Sequence, residues 1–142
     1  MKKQSIPSMD AWLAEARSPE NGKKIGMYLI HNGVVRETAR AKVRQGKEDT
    51  RPVMAMEFSY DAAKVEEAVA DTYKMEGISF IRTWLAEGRL AAGDDIMFVL
   101  VGGDIRPHVI DGLQYLVGRL KEECVTETEI YEVETCETED GR

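Results

Sequence analysis

Residues 93–121 read GDDIMFVLVGGDIRPHVIDGLQYLVGRLK, and the fold is read outward from them. The apolar run Ile96–Val101 has the length of a buried strand and is far too short to cross a bilayer. Gly102-Gly103-Asp104 reads as a turn. Pro107 suits the first turn of a helix, where its missing N–H leaves nothing unpaired. Val109, Leu113, Leu116, Val117, Leu120 and Cys124 then recur at helical spacing and predict that helix's buried face. Arg106 stands at its start and Lys121 near its end, in a chain whose net charge is −7. Two cations so placed in an acidic protein point to an anionic ligand.

The preceding segments supply the partners for this strand and helix. Ser8 caps a short helix with Met9, Trp12, Leu13 and Ala16 on one face, and 18–22 (SPENG) breaks it. Ile25–His31 reads as a strand. Pro52–Tyr60 alternates, with Met54, Met56, Phe58 and Tyr60 on its better-buried side. Methionines fill irregular cores, which is the simpler reading of that row than a soft-metal site. Asp61 caps a helix over Ala62–Glu76, striped by Val65, Ala68, Val69, Thr72 and Tyr73 and ended by Gly77. Ile78–Leu85 is a third strand, Ala86–Asp94 a connection, and Asp95–Val101 the fourth and most apolar strand.

This order predicts an α+β fold with a mixed or antiparallel sheet and helices packed on one face. The β-β-α-β-β-α core is compatible with a ferredoxin-like arrangement, though element order alone does not fix topology. Gly33–Arg51 stands apart. It is rich in Arg and Lys, lacks apolar periodicity, and reads as a mobile basic loop; long loops in compact domains are often functional. From residue 122 to the end the chain holds eight Glu and one Asp against a single Arg. Thr126–Val133 alternates well enough for one strand. The expected organisation is a single domain over 1–133 and a disordered acidic tail over 134–142.

At 142 residues, with 43% hydrophobic and 32% charged side chains, the chain can bury a real core. Its acidity argues against general nucleic-acid binding, which needs a basic face. Cys124 and Cys136 make no metal-ligand spacing and read as free thiols in a reducing compartment. No apolar run follows Lys2 and Lys3, so a signal peptide is not expected and the cytoplasm is. Neither a GxSxG elbow, a P-loop nor a GxGxxG turn is present. His31 and His108 lie far apart with no evident carboxylate partner, and no metal or cofactor is expected. What remains is cationic: Arg36 after the first strand, Arg106 at a helix start whose amide dipoles suit an anion, and Lys121.

These residues carry a resemblance. Gly33-Val34-Val35-Arg36, Glu57 and Tyr60, Asp61–Val69, Gly88-Arg89-Leu90-Ala91-Ala92-Gly93-Asp94, Ile96–Val101, Arg106 and Leu120-Lys121 occur in the order of the large, catalytic subunit of molybdopterin synthase, and the segment Ile25–Lys121 resembles the MoaE family. The resemblance implies an α/β hammerhead fold, a homodimer, and a partner: a small, ubiquitin-like, MoaD-like sulfur carrier ending in Gly-Gly. Its thiocarboxylate would give sulfur to a cyclic pyranopterin monophosphate in molybdenum cofactor biosynthesis. Lys121 matches a catalytic position, and Arg36 and Arg106 match substrate-binding ones. The chain departs from the family where a His is usual before the helix-start Arg (here Ile105), at the third strand's end (Leu85), at a second Lys seven places on (Thr128), and over Cys124-Val125-Thr126-Glu127. A non-catalytic module docking a carrier tail or an anionic pterin is the alternative those departures leave.

Overall fold

The computed structural model describes residues 5–36 and 53–131. In chain order the elements are α1 (Met9–Ala16), β1 (Met27–Val34), β2 (Val53–Tyr60), α2 (Ala62–Tyr73), β3 (Ile78–Leu85), β4 (Gly88–Ala91), β5 (Asp95–Gly103), α3 (Arg106–Arg119), a π-helical turn over Leu120–Cys124, and β6 (Val125–Tyr131). The strands form two three-stranded sheets, ordered β1-β5-β3 and β4-β2-β6, with every pairing antiparallel. The α+β class therefore holds, and the sheet is antiparallel and split in two. A ferredoxin-like single sheet is not adopted, because β2 leaves β1 and pairs with β4 and β6.

Local chemistry explains the element starts. Ser8 accepts the Ala11 N–H at 3.1 Å to open α1. Asp61 accepts from Ala63 and Lys64 to open α2. Each satisfies an amide that the helix itself cannot. Strand β5 is central to its sheet and buried on both faces, which is why it reads as a continuous apolar run.

Alternation along the first sheet separates two cores. Val99 and Val101 point with Ile81, Val109, Leu116 and Leu120 into the main core, which also takes Met56 and Phe58 from the second sheet. Leu100 and Phe80 point the other way and meet Ala16, with Trp12, Leu13 and Tyr28 beside them. The two long helices thus share one face of the sheet, as expected, while short α1 covers part of the opposite face. Glu15 of α1 holds Arg82 of β3 at 2.8 Å across that smaller contact.

Several boundaries differ from the sequence reading. Gly102 and Gly103 are not a turn but the last residues of β5. Their missing side chains serve packing: a Cβ on Gly103 would collide with the Gly77 carbonyl oxygen and come within 2.8 Å of Val109 Cγ2. The connection over Ala86–Asp94 contains β4, which pairs with β2 between Phe58–Gly88 and Ala55–Ala91. Strand β1 begins later and runs on through Gly33 and Val34, taking the first residues assigned to the basic loop. Helix α2 ends at Tyr73, ahead of the left-handed Gly77, whose φ is +82°. The rest of the basic loop beyond Arg36, and the 134–142 tail, lie outside the described residues.

Candidate functional site

Helix α3 packs across β5 and β1, so its C-terminal end returns along the sheet from which it started. There the winding loosens: the Val125 N–H reaches back to the Leu120 carbonyl, closing a π-helical turn. Such turns are rare and concentrate at functional positions. Leu120 and Cys124 are buried within it and Lys121 is exposed between them. The Cys124 carbonyl also accepts the Asp61 N–H at 2.8 Å, tying the turn to the start of α2. Arg119, just before it, is gripped by Asp71 at 2.9 Å, Glu123 at 2.7 Å and the Tyr115 hydroxyl at 2.7 Å. That cation is structural, and its contacts hold the backbone on which Lys121 sits.

On β1, against which α3 packs, sits a residue that the sequence did not single out for chemistry. Along β1 the side chains of Met27 and Leu29 enter the main core, and His31 follows at the same phase of the strand. It is a polar group where the pattern calls for an apolar one. Its Nε2 is shut away from solvent without a hydrogen-bond partner. Burial, and then the positive charge of Lys121, hold the imidazole below the ordinary histidine range. The only sequence signal for it was that phase.

Arg106 stands at the other end of α3. From Arg106 to Lys121 the helix rises roughly 20 Å, so within one chain the two side chains cannot grip the same phosphate. The helix start has its own anion: Asp104 Oδ1 accepts the Ile105 N–H at 2.6 Å and pairs with His108 Nδ1 at 2.8 Å. The amide dipoles expected to serve a ligand are thus partly engaged by Asp104. The hydrogen bond from His108 holds the Asp104 carboxyl below its usual range, and the same bond raises the His108 imidazole. Glu76 lies 3.5 Å from His108 Nε2. The carboxylate partner of His108 was four residues away in sequence, one helical turn, and was missed because Asp104 reads as a turn residue.

Arg36 emerges past the far end of β1. Val35 is buried and clamped there by the Asp94 carbonyl and the Gly93 N–H, both at 2.9 Å. This is the Asp95 end of the sheet, opposite to the Gly103 end that leads to Arg106. Arg36 and Arg106 therefore occupy opposite ends of β1. Among the described residues neither they nor Lys121 is ion-paired. Of the family departures, Ile105 is half exposed and gives α3 no side-chain cap, Leu85 is core, and Thr128 faces the register position of Glu57 on β2.

A shallow polar cavity of about 430 Å³ opens on the other flank of the π-helical turn, lined among others by Tyr60, Asp61, Lys64 and Cys124. Burial raises the Cys124 thiol above its ordinary value, so it is a poor nucleophile there. No cluster of metal-ligating side chains exists among the described residues, and no helix among them is long and apolar enough to cross a membrane.

A family model described as MoaE protein matches residues 4–123. The chain belongs to the MoaE family. A part in molybdopterin biosynthesis goes with that membership. Solved structures agree on the fold. A MoaE protein of molybdopterin biosynthesis from Burkholderia ambifaria is similar with a TM-score of 0.65 at 20% identity, over 93% of this chain and 88% of that one. Molybdopterin synthase from Staphylococcus aureus gives 0.63 at 18%, over 78% and 77%. The complex of subunits 1 and 2 of the molybdopterin-converting factor from Helicobacter pylori gives 0.60 at 17%, over 89% and 82%. No curated protein matches the chain significantly. Arg36, Arg106 and Lys121 all fall inside the family match.

Proposed function

We propose that this MoaE-family chain is the large subunit of a molybdopterin synthase, acting in the cytoplasm. It takes the thiocarboxylated tail of a small ubiquitin-like carrier and passes the sulfur to a cyclic pyranopterin monophosphate. The observation that carries the reading is the family match over residues 4–123, with Lys121 presented on a π-helical turn inside that span. Both reactants are anionic, and both suit a site built on cations. Lys121 supplies positive charge where negative charge develops on the acyl carbon's oxygen, an effect of about 3 kcal/mol for one well-placed donor. Arg36 and Arg106 offer planar forks for the phosphate.

A homodimer is part of this reading. Arg106 and Lys121 of one chain stand roughly 20 Å apart along α3, and a second copy turned end for end can set its Arg106 beside the first chain's Lys121. Reconstitution tests both statements. The chain, its thiocarboxylated carrier and the cyclic pyranopterin monophosphate should yield molybdopterin, and Lys121→Ala should reduce turnover at least about 100-fold. Mixing Lys121→Ala with Arg106→Ala should restore part of the activity, because one composite site regains both cations. No product from the wild type with its cognate carrier defeats the enzymatic reading.

The second reading is a docking module without turnover. The exposed Ile105 at the start of α3 and Thr128 on β6, both departures from the family pattern, favour it. Carrier binding that is tight, unaccompanied by sulfur transfer and indifferent to Lys121→Ala would select it.

A further inference from the structure

His31 is the unexplained group of this site. It occupies an inward position of β1 between Leu29 and Gly33, and its Nε2 has neither solvent nor a partner. A buried ring nitrogen left alone is cheaper as a bare lone pair than as an N–H, since orphaned buried donors are the rarer case in folded proteins. The single ring proton of the neutral imidazole therefore belongs on Nδ1, the nitrogen that is not shut away. The charge that bears on His31 among the described residues is that of Lys121. Burial first, and then that charge, oppose a second positive charge there and favour the neutral ring. A neutral imidazole with a fixed donor, within reach of an ammonium's charge, is suited to an oxygen that becomes negative.

We infer that His31 is a further catalytic residue of the Lys121 site, its Nδ1–H donating to the acyl oxygen of the carrier tail. The inference rests on the sulfur-transfer reading above. Once the thiocarboxylate sulfur is bonded to a pterin carbon, the carrier is held as a thioester. Water adds to the acyl carbon with loss of one proton to solvent, and the carbonyl electron pair moves onto oxygen. As that pair returns, the C–S bond breaks and its electrons stay on sulfur, which takes up the second proton of the water. The carrier leaves as a carboxylate, both protons of the water being accounted for. The oxygen is most negative between those two events, and there the His31 and Lys121 donors act together.

Two measurements test this. Nitrogen-15 NMR of the imidazoles in the wild-type protein alone should show His31 as the neutral Nδ1–H tautomer at pH 7, remaining neutral to a lower pH than an ordinary histidine. In the reconstituted reaction, His31→Phe, which keeps a ring in the same space, should lower kcat about 100-fold with KM for the carrier changed less than about threefold. His31→Asn, whose amide N–H stands near the place of Nδ1–H, should recover at least tenfold of that loss. An Nε2–H tautomer, a charged ring at pH 7, or a His31→Phe variant with wild-type kcat overturns the inference. If the wild type makes no product, the sulfur-transfer reading fails and this catalytic role fails with it. If it makes product while the NMR shows the wrong tautomer, only the His31 inference fails.

Discussion

Replacing Gly103 by Ala adds one methyl group at a tight backbone crossing between β5 and the start of β3. The new Cβ would overlap the Gly77 carbonyl oxygen and lie 2.8 Å from Val109 Cγ2. Neither neighbour is free to retreat. The Gly77 carbonyl accepts the Asp104 N–H at 3.0 Å, and Val109 is fully buried under α3. The Gly103 carbonyl is itself held, by the Gly26 N–H at 2.7 Å. Relief requires α3 to lift from β5 or β5 to slide against β3, and overpacking of this kind costs typically about 1–3 kcal/mol, occasionally more. With a backbone carbonyl and a buried valine both against the one added Cβ, the upper end applies, about 3 kcal/mol. For a domain of this size that corresponds to a fall in Tm of roughly 10 °C. Gly118→Ala is the control: a Cβ there meets nothing within 4 Å, and Ala in place of a mid-helix Gly should stabilise by about 0.5–1 kcal/mol. Urea unfolding followed by circular dichroism measures both. A Gly103→Ala midpoint within about 0.5 kcal/mol of wild type, with an unchanged slope, would refute the packing account of that glycine.

Thr72→Val should cost about 1 kcal/mol, because the Thr72 hydroxyl is buried and donates to the Ala68 carbonyl at 2.8 Å; the same urea titration reads it. The Asp104–His108 pair predicts a pH profile. His108 is raised in the folded state, so its contribution is present below the unfolded histidine value and lost as pH rises through the folded one. Asp104 is lowered, so its contribution is present above the unfolded carboxylate value and lost as pH falls through the folded one. Tm should therefore be highest in mildly acidic buffer and decline across neutral to alkaline pH, and His108→Gln should flatten that decline.

The elements with strong internal patterning were legible from the residues. Strand β3 runs over Ile78–Leu85 as read, Met56 and Phe58 are the buried side of β2, Asp61 caps α2, and Pro107 lies in the first turn of α3. The features that escaped depend on partners distant in sequence. Strand β4 spans only Gly88–Ala91, too short to show a period; it is a strand because β2 offers it an edge. Gly102-Gly103 looks like a turn because glycines usually mark one, whereas here close approach of Gly77 and Val109 excludes a side chain. Division into two sheets follows from β2 choosing β6, a partner some seventy residues on, over β1. At the candidate site, Lys121 was named from sequence through the family resemblance. His31 was not, since nothing local ties residue 31 to residue 121.

The looser winding over Leu120–Cys124 also sets how the two sheets are phased against each other. A π-helical turn behaves as one residue inserted into a regular helix, and it rotates all that follows by about 100°. Trimming that extra residue would leave α3 intact up to Arg119, yet aim Val125 and the strand after it at the wrong side of β2. The chain cannot change the pitch of this one turn without re-registering its C-terminal strand, so the position of the lysine and the closure of the second sheet are inherited as a single trait.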